Sequence, residues 1–320
     1  MTANLQNPIF TDETKAREWL EARVWPKGPV CPHCGATDDD VTKLEGKAHR
    51  PGLYQCSQCR EQFTVTVKTV FERSKVPLSK WLAALFMMTA SKKGVSAHQI
   101  HRSLQISYKT AWFVCHRLRE AMRQGGLAPM GGSGKIVEVD ETYHGNVDRP
   151  ILKANKAGRF RDNRRGNKRP ILALVERGGG VRTFHVPVAD KVSVTKIVRE
   201  NIARESRLHT DESRLYWGSD QHFAGHETVQ HSIEEYVRYE DGEKIHTNTV
   251  EGYFGIFKRG MKGVYQHCKE KHLHRYLAEY DFRYNHRIVL GYNDGDRAAL
   301  AVKNAAGKRL TYRGTNETQF

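Results

Sequence analysis

The spacing of apolar residues predicts a run of helices in the first half of the chain. From 77 to 94, PLSKWLAALFMMTASKKG places them at helical spacing and ends at a glycine, which predicts one long helix. Two shorter helical patterns follow, separated at residues 104–107, where Ser107 is the expected N-cap of the second. The pattern is typical of a helix-turn-helix, with Tyr108 and Lys109 where a recognition helix reaches base edges. The alternative is an ordinary three-helix packing module.

In the second half of the chain, strand patterns alternate with helical ones. KIVEVDETYHG (135–145) alternates with period two, and two further strand patterns, at 169–177 and 180–188, form a hairpin joined by glycines. A helical pattern over 192–204 and a short strand ending at Asp211 come next. This order predicts an α/β domain of the ribonuclease H-like class, a mixed sheet flanked by helices.

These patterns divide the chain into five predicted segments. QGGLAPMGGSG (124–134) is rich in glycine and is the clearest linker. The predicted segments are a zinc ribbon (1–74), a helix-turn-helix segment (75–123), the linker, a ribonuclease H-like catalytic domain (135–300) and a basic tail (301–320).

Four of the six cysteines form two CxxC pairs, Cys31 with Cys34 and Cys56 with Cys59. About 20 residues separate the inner two, a spacing close to that of a zinc ribbon, in which two tight turns supply four thiolates to one tetrahedral ion. The alternating run FTVTVKTVF (63–71) predicts a strand after the second pair. A redox CxxC is the alternative, but it would need one pair beside a βαβ pattern. The sequence therefore predicts one structural Zn²⁺.

The charge of the chain points to nucleic acid as the partner. Lys and Arg number 52 and Asp and Glu 36, a formal net charge of +16. Ribosomal, RNA-binding and membrane-surface proteins share this signature. The longest apolar run is about half of the roughly 20 residues that span a bilayer, and the N-terminus has no export signal. We therefore expect no membrane association and a cytoplasmic protein.

Three carboxylates are candidates for an active site. Asp140 lies within a β-branched strand, where propensity disfavours it, and Asp211 follows a later strand. Glu251 lies in HTNTVEGYFGIFKRG (246–260), where the alternative is a capping box with Asn248. Lys258 follows almost two turns later on the same side, and Gly252 and Gly255 suggest close backbone approach. Brought together, the three acids would hold two Mg²⁺ (or Mn²⁺) ions for in-line displacement at a phosphate.

A set of motifs resembles the ISXO-like family of bacterial insertion-sequence transposases, DDE-type enzymes with an N-terminal zinc ribbon. The motifs that carry the resemblance are VEVDETY, HTDESRLY, VQHSIEEYV, HTNTVEGYFGIFKRGMKGVYQH and KHLHRYLAEYDFRYNHR. The resemblance implies that Asp140, Asp211 and Glu251 are the catalytic acids and that Lys258 is the basic residue following the third. Some members have Asn in place of the third acid, so Asn248 is a further candidate ligand. Asp220, in GSDQH, is a second candidate for the middle acid.

The resemblance also implies partners and a reaction. Such an enzyme binds the terminal inverted repeats of its element, cleaves a strand at each end and joins the 3′-hydroxyl to target DNA, as a homo-oligomer on paired ends. The basic stretch ILKANKAGRFRDNRRGNKR (151–169) would contact DNA phosphates. The residues expected to bind DNA are Tyr108, Lys109, Arg164, Arg165, Lys168 and Arg259. The alternatives are a catalytically silent or domesticated DNA-binding regulator and a nuclease or resolvase without strand transfer.

Overall fold

A computed structural model describes residues 6–148, 152–154, 160–162, 167–240 and 242–311 of the chain. These residues form two compact units. The first runs up to Gln124 and resumes at His286, and the second is Gly125–Asn285. Within the described ranges, no helix is long and apolar enough to cross a membrane. The segment boundaries predicted from the sequence stay predictions.

The first unit begins with a helix and a small sheet and continues with three helices. Its elements up to Gln124 are α1 (Glu13–Val24), β1 (Val41–Leu44), β2 (Leu53–Cys56), β3 (Gln62–Phe63), α2 (Leu78–Ala90), α3 (Ala97–Leu104) and α4 (Tyr108–Met122). The three strands form one antiparallel sheet in the order β1-β2-β3. The first CxxC pair precedes β1, and the second pair begins at the last residue of β2 and continues into the turn before β3.

The strand predicted over residues 63–71 is wrong. Strand β3 ends at Phe63, and the chain then makes successive turns, in which the N–H groups of Val67 and Thr69 donate to the carbonyl oxygens of Thr64 and Thr66. Val65, Val70 and Phe71 are buried within these turns, whereas Val67 is half-buried. Since residues 69–71 are buried consecutively, the alternation in the sequence corresponds here neither to a strand nor to an alternating pattern of burial.

The helices predicted in the first unit are confirmed. Helix α2 occupies the long apolar pattern, and α3 and α4 flank a break at which Gln105 adopts a left-handed conformation with φ 50°. Ser107 caps α4 as predicted, because its Oγ accepts a hydrogen bond from the Thr110 N–H at 3.2 Å. Such caps satisfy a backbone donor that the first turn leaves free.

The remaining elements form the second unit, except for the last helix, which belongs to the first unit. They are β4 (Ile136–Asn146), β5 (Leu152–Ala154), β6 (Phe160–Asp162), β7 (Lys168–Glu176), β8 (Val181–His185), α5 (Lys191–Asn201), β9 (Arg207–Asp211), β10 (Gly225–Val229), β11 (Val237–Glu240), β12 (Glu243–His246), α6 (Asn248–Gly260), α7 (Leu273–Asn285) and α8 (Asp294–Lys303). Helix α8 belongs to the first unit and all the others to the second. The strands and helices predicted from 135 to 211 are confirmed, with shifted ends.

A mixed five-stranded sheet organises the second unit, in the order β10-β9-β4-β7-β8. Strand β7 is antiparallel to both of its neighbours, β4 and β8, whereas β9 and β10 run parallel to β4. Strand β4 therefore lies at the centre of the sheet, where a polar side chain is held rigidly between paired neighbours.

Helices cover both faces of this sheet. On one face, apolar residues of β7 and β8 pack against the buried stripes of α6 and α7, including Val250, Phe257 and Leu277. On the other face, Val137 and Val139 of β4 pack with α5. Since neighbouring residues of a strand point to opposite faces, Glu138 and Asp140 lie on the α6 side.

Candidate active site and metal centre

The four cysteines of the two CxxC pairs converge in the first unit. Cys31 Sγ lies 3.6 Å from Cys59 Sγ, and Cys34 Sγ lies 3.6 Å from Cys56 Sγ. All four sulfur atoms lie within 4.8 Å of one another. Zn–S bonds of about 2.3 Å in a tetrahedron place sulfur atoms roughly 3.8 Å apart. The donor set and its spacing thus fit a structural Zn²⁺.

The ionisation of these thiols also fits a bound cation. Burial acts to raise the pKa of Cys31, but hydrogen bonds from the backbone N–H groups of Cys34 and His33 bring it to about 7. At Cys59 the Glu61 N–H acts to lower the pKa, but burial and the neighbouring sulfur atoms raise it to about 12. A zinc ion is the charge that stabilises four adjacent thiolates.

In the second unit, Asp140 and Asp211 lie at the same level on neighbouring strands. Strands β4 and β9 pair in parallel from Ile136 opposite Arg207 to Glu138 opposite His209. Pairing between them stops there, while β9 stays paired with β10 as far as Asp211. The two strands therefore separate at the level of the two aspartates, which opens space between their side chains.

Asp140 is the electrostatic centre of the site. Burial is the main cause that raises its pKa, to about 8. The negative charges of Glu141, Asp211 and Glu251 raise it further, and a hydrogen bond from the Glu141 N–H, 2.8 Å from Asp140 Oδ1, acts against them. The predicted acids therefore lie close enough to repel one another, which is the environment that a divalent cation relieves.

The three acids are nevertheless more widely spaced than the cysteines. In the described part of the chain, the four cysteines form the one group of three or more His, Cys, Asp or Glu side chains whose ligand atoms all lie within 4.8 Å. Asp220, the second candidate for the middle acid, is exposed in a short turn, and its charge acts on His226. The position of Asp211 next to Asp140 favours Asp211.

Helix α6, which carries Glu251, is capped by a residue of the central strand. Glu138 is fully buried, and its Oε2 accepts hydrogen bonds from the N–H groups of Thr249 at 2.8 Å and Val250 at 3.0 Å. The Asn248 N–H donates to His246 Nδ1 at 3.2 Å. A carboxylate at a helix N-terminus also interacts favourably with the helix dipole. Glu138 thereby fixes the Glu251 helix to the strand that carries Asp140.

The capping box suggested by Asn248 and Glu251 is wrong. Asn248 is the first residue of α6, and the N-cap position is taken by Thr247, which makes no side-chain capping bond. The side chain of Glu251 accepts a hydrogen bond from Thr247 Oγ1 at 3.4 Å and is otherwise directed outward, 44% exposed. Since the cap comes from Glu138, Glu251 is left available for another role.

The close backbone approach expected at the α6 glycines is also wrong among the described residues. A Cβ at Gly252 would meet no atom within 4 Å, and one at Gly255 would meet only the flexible end of Arg259, at 3.5 Å. The glycines leave this side of α6 open beside Glu251.

Arg177 balances the buried charge of Glu138. Its Nε lies 2.6 Å from Glu138 Oε1, and its other nitrogens donate to the carbonyl oxygens of Lys244 and His246. It also contacts His209 Nδ1 at 3.0 Å, and burial followed by the Arg177 charge lowers the pKa of His209 to about 4. The histidine is therefore neutral, and the pair of Glu138 and Arg177 carries the charge.

We expect Glu138→Gln to destabilise the second unit by about 3–5 kcal/mol, because it leaves Arg177 without its charge partner and turns an amide towards the α6 N–H groups. Urea denaturation followed by circular dichroism measures the change. The matched control is Glu240→Gln, which removes an exposed partner of Arg238 and should cost less than about 1 kcal/mol. Equal losses in both variants would contradict this role of Glu138.

Predicted basic residues gather at the far end of β4. The Nζ of Lys168 donates to Asn146 Oδ1 at 2.8 Å, and Lys258 is exposed on α6 above the Phe254 ring. Burial lowers the pKa of His144, and the charges of neighbouring cations lower it further, among them Lys168 and Lys258. The two lysines therefore act on the same region. Arg259 is exposed next to Lys258, whereas Arg164 and Arg165 lie outside the described residues.

In the first unit, Tyr108 and Lys109 begin α4 as predicted, and both are exposed. The Tyr108 ring stacks on the ring of His98, with centroids 4.1 Å apart. This contact fixes the direction of an aromatic side chain at the first turn of the helix.

Three further residues at the site had no role in the sequence analysis: Glu138, Glu141 and His231. Glu141 accepts a hydrogen bond from the Tyr216 hydroxyl at 2.5 Å. His231 Nε2 lies 3.7 Å from Glu251 Oε1. The signal for the two glutamates was their place beside Asp140 in VEVDET, and His231 lies in one of the motifs that carry the resemblance.

Comparison with known proteins finds two family models on this chain. Residues 131–285 match the ISXO2-like transposase domain, and residues 11–62 match the transposase zinc-ribbon domain. An uncharacterized protein in transposable element ISH50 of Halobacterium salinarum is 28% identical over 285 residues, which cover 86% of this chain and 91% of that protein. A Drosophila P element transposase strand transfer complex is similar over 68% of this chain and 59% of its own, at 9% identity and a TM-score of 0.24.

Proposed function

Because the chain belongs to the ISXO2-like transposase family, we propose that it binds the ends of its insertion sequence, cleaves a DNA strand there and joins the 3′-hydroxyl to target DNA. The observation that carries this proposal is the half-buried Asp140 on the central strand, which lies level with Asp211 on the neighbouring strand and within electrostatic reach of Glu251. Together they form a concentrated set of oxygen donors on a rigid sheet.

The proposed catalytic domain is ribonuclease H-like. Its support is the strand order β10-β9-β4-β7-β8, in which three antiparallel strands come first in the chain and two strands parallel to β4 follow. In such a sheet the first acid lies on the central strand, the second at the end of its parallel neighbour and the third on a later helix. Asp140, Asp211 and Glu251 occupy those three places.

Asp140, Asp211 and Glu251 would hold two Mg²⁺ or Mn²⁺ ions, because hard oxygen donors suit these cations. Bound divalent ions would activate the attacking oxygen and stabilise the leaving 3′-oxygen. The cap that Glu138 places on α6 holds Glu251 towards Asp140 and limits the freedom that binding would otherwise have to remove. Asn248, exposed one turn earlier, is the alternative or additional partner at this edge.

Lysines on the same unit would position the DNA. Lys258 projects from α6 on the side of Glu251, and Lys168 lies in the same region near His144. Each can pair with a phosphate, and such contacts fix the register of the DNA without reading its sequence. Arg259, Arg164 and Arg165 are proposed to extend this contact.

Recognition of the element ends is proposed for the first unit. Helices α3 and α4 and the turn between them would form a helix-turn-helix, in which Tyr108 and Lys109 face the major groove. The zinc ribbon would add a second contact with the DNA, and its zinc ion would hold the two cysteine turns in one conformation. The overall charge of +16 supports DNA as the partner.

A strand-transfer assay tests this proposal. The full chain, loaded with zinc, is incubated in Mg²⁺ with a supercoiled target plasmid and a duplex that carries the inverted repeats of the element and a 5′ label on the strand to be cleaved and transferred. We expect cleavage at the repeat end and transfer of label to the plasmid. Cleavage without transfer would identify a nuclease or resolvase, and binding without cleavage would identify a regulator. Sedimentation of the DNA complex tests the proposed homo-oligomer on paired ends.

A further inference from the structure

The strands that carry Asp140 and Asp211 are joined by a side-chain hydrogen bond beyond the point where their pairing ends. Backbone pairing between β4 and β9 stops two residues before each aspartate. Past that point, the Tyr216 hydroxyl donates to Glu141 Oε2 at 2.5 Å. Glu141 is the chain neighbour of Asp140, and Tyr216 ends the short turn that follows Asp211. The bond therefore spans the gap that opens where strand pairing is lost.

Short hydrogen bonds connect each aspartate to this bond. On the β4 side, the Glu141 N–H donates to Asp140 Oδ1 at 2.8 Å. On the β9 side, the Ser213 N–H donates to Asp211 Oδ1 at 3.0 Å, and the Ser213 hydroxyl caps the 3-10 turn that ends at Tyr216. The two aspartates are thus the ends of a series of local contacts that meet at the Tyr216 hydroxyl.

Tyr216 is held rigidly on the α5 side of the sheet. It is 2% exposed, and its ring belongs to the core cluster that contains Val137 and Val139 of β4. A close-packed interior leaves such a ring little freedom. Burial and the charge of Glu141 raise the pKa of Tyr216 well above its ordinary value, so the hydroxyl keeps its proton and acts as the donor. The hydroxyl is therefore a fixed point from which Glu141 is held.

Glu141 is placed to support the strand end from the face opposite the acids. Neighbouring residues of a strand point to opposite faces, so Glu141 lies on the α5 side and Asp140 on the α6 side, where α6 supplies Glu251. Burial raises the pKa of Glu141, the hydrogen bond from Tyr216 acts to lower it, and the charge of Asp211 raises it further. Glu141 is therefore near the acids, but it approaches them from behind the sheet.

We propose that Tyr216 is a positioning residue that sets the separation of Asp140 and Asp211 through its hydrogen bond to Glu141. The inference rests on the proposed function, since it concerns the site in which these acids would hold divalent ions. Without the hydroxyl, the two strand ends should be free to move apart. Contacts that orient metal ligands typically change metal affinity about 10- to 100-fold when they are lost, so ion binding should weaken.

Binding of Mn²⁺ to the zinc-loaded full chain without DNA, followed by the electron paramagnetic resonance of the free ion, tests this role. We expect Tyr216→Phe to weaken Mn²⁺ binding by about tenfold or more. Strand cleavage by this variant should require a correspondingly higher Mn²⁺ concentration and approach the wild-type rate at saturation. The matched control is Tyr265→Phe, which removes a hydroxyl that donates to Glu279 of α7, a helix that carries none of the three acids. It should change neither quantity.

A double-mutant cycle separates positioning from a general effect on packing. Glu141→Ala should weaken Mn²⁺ binding as much as Tyr216→Phe does, and the double variant should bind no more weakly than either single variant. Glu141→Gln should recover most of the affinity, because its amide oxygen can still accept the hydrogen bond from Tyr216. Recovery in this variant would also show that the loss in Glu141→Ala does not come from misfolding.

The outcomes distinguish the inference from the proposed function. Mn²⁺ binding that is lost in Asp140→Asn but unchanged in Tyr216→Phe would overturn the role of Tyr216 and leave the carboxylate site in place. Binding by Glu141→Gln as weak as that by Glu141→Ala would also overturn it, since the charge of Glu141 would then matter and not the hydrogen bond. A wild-type protein that binds no Mn²⁺ outside its cysteine cluster would overturn both.

Discussion

Strand cleavage should fall by about 10³-fold or more when Asp140 is replaced by asparagine, because loss of a central metal ligand removes several kcal/mol of transition-state stabilisation. Asp211→Asn is expected to have a similar effect. Binding of the element ends should be unchanged or slightly tighter, since a negative charge near the phosphates is removed. Release of a labelled strand from a duplex bearing the repeats measures cleavage, and a gel-shift titration at fixed salt measures binding.

The matched control for both variants is Asp220→Asn, which removes an exposed carboxylate and should leave cleavage at the wild-type rate. Folding is checked by the thermal unfolding of Asp140→Asn without added divalent ions. The pKa of Asp140 is raised to about 8, so the charged form is unfavourable in the folded chain. Its contribution to stability is full below the pKa of the unfolded chain and is lost as the pH rises towards 8. The asparagine variant should accordingly match or exceed the wild type in stability at pH 8. Loss of cleavage in Asp220→Asn with retention in Asp211→Asn would reverse the assignment of the middle acid.

Replacement of Cys56 by serine should remove the zinc ion and unfold the ribbon. Structural zinc contributes on the order of 10 kcal/mol to the folding of small zinc modules, and the small three-stranded sheet beside the cysteines has little other core. We expect the zinc content of the purified chain to fall by about one equivalent per chain. Limited proteolysis should cut between the two CxxC pairs, where the wild-type chain resists.

Cys268→Ser is the control for this experiment, because Cys268 belongs to the second unit and is not a member of the four-cysteine group. It should keep its zinc and its resistance to protease. A Cys56→Ser protein with full zinc content would show that the metal is held elsewhere. In Cys56→Ser the second unit should still unfold cooperatively, which distinguishes local loss of the ribbon from general misfolding.

The elements of the second unit could be predicted because their burial follows the period of the sequence. Strand β4 buries Val137 and Val139 on one face, as the alternating sequence predicts, and α6 buries the predicted stripe that includes Val250 and Phe257. The cysteine pairs were equally informative, because two CxxC turns leave few ways to arrange four thiolates. Periodicity and ligand spacing are both local signals. Periodicity predicts an element correctly when one face of that element is buried, and ligand spacing does so when the ligands lie on short turns.

The stretch from 63 to 71 shows where such a signal fails. Its residues have strand propensity, but Lys68 adopts a left-handed conformation with φ 55°, and Thr hydroxyls and backbone groups close successive turns. Strand propensity measures how well a side chain fits a half-buried pleated surface. Here the buried surface is irregular, and alternation alone did not distinguish the two.

The sequence points to the three candidate acids of the site but not to the residues that hold them in place. Asp140, Asp211 and Glu251 carry a sequence signal of their own, whereas the cap of α6 joins Glu138 to residues more than a hundred positions later in the chain. No local pattern reveals such a contact. The sequence therefore offered only a capping box with Asn248, as an alternative to a ligand role of Glu251, and gave His231 no role because Glu251, which it contacts, is distant in sequence.

The cap on α6 removes one common way of binding a DNA phosphate. A helix start with free N–H groups often serves as an anion site, but here His246 and Glu138 already accept hydrogen bonds from the first three amide groups. A phosphate beside Glu251 would meet a closed, negatively charged helix end. Apart from the proposed divalent ions, the DNA backbone would then be attracted by flexible lysine and arginine side chains, and occupancy of the site should fall steeply with ionic strength. Salt concentration should thus affect DNA binding by this protein more strongly than binding by a protein that holds its phosphate at a helix N-terminus.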